Sequence, residues 1–271
     1  MNLELRVLGC RGSMTVTGDS HRRYGGNTTC FEIEAEPGHH LIIDGGTGLR
    51  SLQREAAGGG SRRYSLLLTH YHWDHIQGLP VFQPLFEAGN QVTIYGPRFN
   101  ERGVAESLGA VIRPPWWPIS LDEVAADVSF RDLSGPVAVG PIIVRHAEGS
   151  HPQGVVLFRL EGPNRSVVIA TDHEAGNTDA DARLISLASK SDVLVHDAQY
   201  TPDEVRTTRK GWGHSSYESA VRAAQDAGVN RLVLTSHDPD RTDEDIDRLR
   251  SMARAMFPNT DAAYEGMTIP L

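Results

Sequence analysis

Apolar residues in this chain come in short runs broken by glycine, asparagine and aspartate, the pattern of strands joined by tight turns. In the first half, residues 5–8, 29–33, 41–43, 66–69 and 92–95 are predicted strands. Residues 47–55 read as a short helix after the Asp44-Gly45-Gly46 turn, and Gly58-Gly59-Gly60 as a surface connection. The second half repeats the design, with strands predicted at 142–145, 155–160, 167–170, 193–195 and 232–235. Amphipathic stretches at 180–188, 216–227 and 242–252 predict helices. The second begins with a Ser215-x-x-Glu218 capping pattern or with Ser216 as the cap, and the third with Thr242 followed by acids. Residues 98–130 depart from the pattern. Their Arg113-Pro114-Pro115-Trp116-Trp117-Pro118 run can be neither helix interior nor central strand, which predicts an irregular loop between two helical pieces. Two comparable halves of alternating strands and helices predict one α/β domain over residues 1–271. Periodicity alone leaves two closures open: an αββα sandwich of two sheets with helices outside, or a doubly wound sheet.

Composition narrows the partners. The 35 acids against 26 bases give a formal charge of −9, which argues against a protein held along a nucleic acid by a basic face. A small phosphate-bearing substrate met at a local site stays open. Two cysteines, Cys10 and Cys30, allow at most one disulfide, so a reducing, cytoplasmic setting is expected. No apolar run has membrane-spanning length, and Met1 leads directly into the first strand, so neither a membrane partner nor a signal peptide is expected. The outlier is histidine, with 12 residues.

The histidines explain themselves at Leu66-Leu67-Leu68-Thr69-His70-Tyr71-His72-Trp73-Asp74-His75. An apolar strand ends and four ligand-type side chains follow at once. His70 and His72, two apart, point the same way while the chain is extended. Asp74 and His75 face a neighbouring position as the chain turns into a helix. That spacing suits two adjacent cations, each taking imidazole nitrogen and carboxylate oxygen.

This H-x-H-x-D-H motif resembles that of the metallo-β-lactamase superfamily, and the likeness runs along nearly the whole chain. The resemblance implies the αββα sandwich and three further ligands, each at a strand end: His151 in Ser150-His151-Pro152, Asp172 after Val168-Ile169-Ala170-Thr171, and His237 after Leu232-Val233-Leu234-Thr235-Ser236. One metal would take His70, His72 and His151, the other Asp74, His75 and His237, with Asp172 bridging. His146 directly follows a strand and competes with His151. His173 reads as a neighbour of the site, and Asp44 as a buried acid behind the ligands. An all-nitrogen-and-oxygen set admits two divalent ions, zinc first, with manganese or iron as alternatives.

Within the superfamily, Val195-His196-Asp197-Ala198-Gln199-Tyr200 and Gly213-His214-Ser215-Ser216 resemble the H-E-A-T-Y and G-H-S-T segments of ribonuclease Z. The resemblance implies that His214 serves the leaving oxygen and that Asp197 orients it, with Asp74 also counted in the catalytic set. Ribonuclease Z carries an inserted basic arm for tRNA. Here only a short hairpin separates His151 from Asp172, so the chain resembles the compact ribonuclease Z-related phosphodiesterases. The expected activity is hydrolysis of a small phosphodiester, nucleotide or cyclic nucleotide rather than a long nucleic acid. Asn27 on a glycine-rich turn, Trp116 as an aromatic lip and Arg209 are candidates for substrate contact, and the tryptophan loop is also a candidate homodimer surface. The rivals are a thioesterase or lactonase using the same metals, and a metal-stabilised nucleotide-binding module.

Overall fold

The computed structural model describes residues 3–54 and 61–271. Its strands are β1 (Glu4–Gly9), β2 (Cys30–Glu36), β3 (His39–Ile43), β4 (Arg63–Leu67), β5 (Gln91–Gly96), β6 (Asp127–Asp132), β7 (Val137–Val139), β8 (Ile142–Glu148), β9 (Val156–Glu161), β10 (Ser166–Ala170), β11 (Val193–Asp197), β12 (Arg231–Thr235), β13 (Thr260–Ala262) and β14 (Thr268–Pro270). The α-helices are α1 (Trp73–Ile76), α2 (Val104–Val111), α3 (Thr178–Ala188), α4 (Pro202–Arg206), α5 (Tyr217–Ala227) and α6 (Asp243–Met256).

Two seven-stranded sheets form, ordered β14-β1-β2-β3-β4-β5-β6 and β13-β12-β11-β10-β9-β8-β7. The two sheets share a plan. Strands β3 to β6 run parallel, as do β10 to β13, and the remaining pairs are antiparallel. Leu41, Ile43 and Leu67 of the first sheet join Phe158, Val167, Ile169 and Val195 of the second in one core between them. The residues between these point outward. Ile42, Leu66 and Ile94 pack with Leu49, Leu79 and Leu108, while Val168, Leu194 and Leu232 pack with Leu184, Val221 and Ile246. Strands covered on both faces bury apolar residues on both, which is why the runs 41–43, 66–68, 167–170 and 193–195 are continuous rather than alternating. The closure is therefore the αββα sandwich. Among the described residues no helix is long and apolar enough to cross a membrane.

The strands and helices fall where the pattern predicts them, with differences at the edges. The segment 98–130 holds one helix, α2, rather than two helical pieces, and it ends in strand β6. That strand is an edge paired only with β5 and is largely exposed, so it needs no apolar run and gives none. Residues 47–54 coil as a 3-10 helix; residue 55 and Gly58-Gly59-Gly60 lie outside the described residues. Ser216, not Ser215, caps α5, and Thr242 with Asp245 forms a capping box on α6. Cys10 and Cys30 are buried free thiols, and burial pushes Cys10 up to about 12, so it stays protonated.

Candidate metal centre and its histidine–aspartate pair

The site forms where the parallel strands end. Asp44 follows β3, Thr69 to His75 follow β4, Asp172 follows β10, Asp197 closes β11 and Ser236 follows β12. Three of these residues sit in the left-handed region: Asp44 at φ 60°, Asp172 at 53° and Ser236 at 56°. Aspartate tolerates that conformation; serine adopts it seldom.

Asp172 is the hub. Its Oδ2 lies 3.7 Å from His70 Nε2, 3.3 Å from His75 Nε2 and 3.7 Å from His151 Nε2. His75 Nε2 is also 3.4 Å from Asp74 Oδ2, and His72 Nδ1 is 3.0 Å from His151 Nε2. Each ring is held from behind. His75 Nδ1 donates to Asp44 at 2.9 Å, His151 Nδ1 donates to the Gly213 carbonyl at 2.7 Å, and His70 Nδ1 lies 3.0 Å from the Thr69 hydroxyl. His72 Nε2 meets Gln153 at 2.9 Å. Asp44 is itself fixed by Thr69, whose backbone amide and hydroxyl donate to it at 2.8 and 2.9 Å. Partners behind a ring choose its tautomer and aim the other nitrogen forward.

These side chains fit divalent cations. The Nε2 atom of His70 is buried with no hydrogen-bond partner, a costly state for a polar atom, and that of His75 faces carboxylate oxygens at 3.3 and 3.4 Å. His72 and His151 bring two ring nitrogens to contact distance, which a shared cation resolves. His70, His72 and His151 converge as one set, and His70, His75 and Asp172 as another. Burial drives His70 well down and also lowers His151, keeping both neutral as ligation requires. Burial also opposes charge on His75, but Asp172, Asp74 and Asp44 outweigh it and hold that ring well above the ordinary value.

Beside this group stands the second pair. Asp197 Oδ2 accepts from His214 Nδ1 at 2.6 Å, and its Oδ1 accepts from the Ser215 amide at 2.7 Å. The His214 ring lies 5.4 Å from that of His151, and His214 with Asp197 and Asp172 makes a third convergent set. Burial works against a charged His214, yet Asp197, Asp172 and Asp74 raise it to about 9. The loop carrying it is pinned by Glu174, which accepts from the amides of Gly211 at 2.6 Å and Gly213 at 2.9 Å. Gly213 is required there: at φ 87° a Cβ would sit 2.1 Å from His151 Nδ1.

Several expected positions lie elsewhere. His237 is not in the cluster. Its Nε2 donates to the Ala263 carbonyl at 2.9 Å and its ring packs edge-on against Tyr24. The first residue past β12 is Ser236, and it alone of the two faces the hub, its Oγ 3.4 Å from Asp172 Oδ1. Asn27 is engaged by Glu265, to which its side-chain amide donates at 3.0 Å. Trp116 stands 73% exposed on the loop after α2, while Trp117 packs beside the outer core of the first sheet. His146 lies on β8 beside Arg145 and Arg159, away from the convergent sets, whereas His151 is within them. His173 braces a turn between the Ser150 amide and Asp181. Arg209 reaches the margin of the site, its guanidinium 4.3 Å over the Trp212 ring and 5.7 Å over Tyr200, which in turn packs edge-on to His214. Trp212, 54% exposed two residues before His214, is the aromatic at the mouth that motif reading passed over. An adjacent open cleft of about 600 Å³ is bordered by Ser150, Glu174, Asn177, Arg206 and Lys210.

A sandwich with this motif at its strand ends defines the metal-dependent hydrolase class of the β-lactamase type. A β-lactamase superfamily domain model matches residues 39–237, and the chain belongs to that superfamily. It is similar to a ribonuclease Z of Bacillus velezensis, 25% identical over 249 residues that cover 75% of this chain and 80% of that one. A ribonuclease Z of Lacticaseibacillus casei is 24% identical, with 99% and 96% of the two chains covered. Among solved structures, the metallo-β-lactamase fold protein YhfI from Bacillus subtilis superposes with a TM-score of 0.77 at 19% identity, covering 99% of this chain and 100% of that one. A diphosphatase of the PhnP family does so with a TM-score of 0.69 at 16% identity, covering 99% and 98%. These two structures share the fold.

Proposed function

We propose that this chain is a metal-dependent phosphodiesterase acting on a small phosphodiester of nucleotide type, with residues 1–271 forming one hydrolase domain in the cytoplasm. The observation that carries the reading is the His214–Asp197 contact of 2.6 Å beside the convergent ligand set. A hydrolase of carbonyl substrates has less need of a charged histidine held there. His70, His72 and His151 would hold one divalent cation and Asp74 and His75 the other, with Asp172 between them; zinc suits the imidazoles best. When bound, such a pair supplies a nucleophile at neutral pH and offsets charge on the phosphoryl oxygens.

The protein's own groups do the rest. Asp197 fixes the His214 tautomer and favours its protonated form, so a proton is held at Nε2. That proton can pass to the oxygen that departs from phosphorus. The Glu174-pinned loop and the His151–Gly213 bond hold His214 in register with the ligands. Trp212 offers a face for a base, Arg209 stacked on it offers charge to phosphate, and Arg206 and Lys210 line the neighbouring cleft for an anionic group. Two features support a small substrate: residues 162–165 make a tight hairpin between β9 and β10, and the chain carries a charge of −9.

The test is turnover of bis-p-nitrophenyl phosphate by metal-free protein reloaded with zinc or manganese. Turnover that depends on added metal and on His214 is expected; none under either metal would refute the reading.

A further inference from the structure

The two metal positions are furnished unequally. On one side of Asp172 stand three imidazoles, His70, His72 and His151. On the other stand one imidazole, His75, and the carboxylate of Asp74. The imidazole that the sequence offered to balance them, His237, is bonded to Ala263 and cannot turn to the site without leaving its place against Tyr24. Ser236 is what β12 delivers instead. It is fully buried, held at φ 56°, and its hydroxyl lies 3.4 Å from Asp172 Oδ1.

We infer that the centre is asymmetric by construction: His70, His72, His151 and Asp172 form a nitrogen-rich position that retains zinc, and Asp74, His75, Asp172 and the Ser236 hydroxyl form an oxygen-rich position of weaker zinc affinity that admits a hard divalent cation such as Mn²⁺. This rests on the metal-dependent reading above. The chemistry is general. Imidazole favours the borderline-soft zinc, whereas carboxylate and hydroxyl oxygens suit manganese and magnesium. Replacing one imidazole by a neutral hydroxyl removes the stronger donor without adding charge. Zinc therefore loses its advantage at that position more than manganese does.

The test reads metal content, not turnover. Metal-free protein receives one equivalent of zinc and then Mn²⁺; bound zinc and manganese are counted by elemental analysis after gel filtration, and free Mn²⁺ by its electron paramagnetic resonance. One zinc and one manganese per chain are expected. With excess zinc alone, a chelator should strip one ion about tenfold or more readily than the other; even partners behind a ligand shift affinity on the order of 10–100-fold. Ser236→His should close that gap and exclude manganese. Ser236→Ala, a milder change, should weaken Mn²⁺ binding severalfold and leave the retained zinc at one. His214→Ala should keep both loadings.

Two zinc ions of equal affinity in the wild-type chain would overturn the inference. Loss of the second ion in His214→Ala would also overturn it, since the place given to Ser236 would then belong to His214. Protein that binds no metal refutes this inference and the proposed function together. Protein that loads one zinc and one manganese but turns over no phosphodiester refutes only the function.

Discussion

Asp44 is not itself one of the ligands, yet its contact with His75 makes it decisive for metal binding. Its buried carboxylate accepts from the Thr69 amide at 2.8 Å, the Thr69 hydroxyl at 2.9 Å and His75 Nδ1 at 2.9 Å. A carboxylate has only acceptors, so it keeps a proton on His75 Nδ1 and makes Nε2, turned toward Asp74 and Asp172, the nitrogen that gives up its proton to a cation. In Asp44→Asn one oxygen becomes an NH₂ donor. If the oxygen stays with Thr69, the new donor confronts His75 Nδ1, and the ring's proton must move to Nε2, where a cation would bind. Losing a bond to a charged acceptor costs about 1.5–3 kcal/mol. A fault in the partner behind a ligand costs about 10–100-fold in metal affinity, which is about 1.4–2.8 kcal/mol. The two scales agree. The assay is competition for zinc against a chromophoric chelator, with circular dichroism to show that Asp44→Asn is folded. A folded variant that binds both ions as tightly as wild type would refute the claim that Asp44 sets the His75 tautomer.

Other perturbations test other links. His214→Ala should lower kcat on a phosphodiester by about 10²–10⁴-fold, measured at saturating substrate. If the variant kept full activity on a thioester or lactone, the carbonyl-hydrolase rival would win. His214 has a folded value of about 9, above its ordinary 6.5, so in metal-free protein its stabilisation is complete below about pH 6.5 and is lost as pH rises through about 9. Asp197→Asn should flatten that decline in melting temperature, and an unchanged slope would count against the pair. Gly213→Ala places a Cβ 2.1 Å from His151 Nδ1, so it should lower zinc retention by about tenfold or more, read by elemental analysis. Because Asp172, Asp74 and Asp44 outweigh burial and keep His75 protonated in the metal-free chain, loading the second position should release a proton and tighten as pH rises. Calorimetry in two buffers of different ionisation enthalpy measures that proton directly.

Much of the molecule was legible one residue at a time. The short apolar runs within β3, β4, β10, β11 and β12, bounded by turn residues, suit strands covered on both faces, and the spacing of the motif after β4 suited a pair of cations. The Asp197–His214 pair was legible through its flanking segments. Edge elements were not: β6 is exposed and held by backbone bonds to β5, which leave no mark in side-chain pattern.

What the sequence determined by itself, then, is the donor inventory and the strands that end in it. What only the tertiary structure decided is which donor faces inward. Past Thr235 a serine and a histidine stand side by side, and chemistry alone favours the histidine. Successive residues leaving a strand point to opposite sides, however, and the pairing of His237 N–H with the Cys10 carbonyl fixes which side each takes. Ser236 therefore meets Asp172 and His237 meets Ala263. His151 and His146 are likewise told apart only in three dimensions, His151 entering the convergent sets and His146 staying on β8. In each case the residue type was visible in the chain, and its direction belonged to backbone geometry set by distant strands.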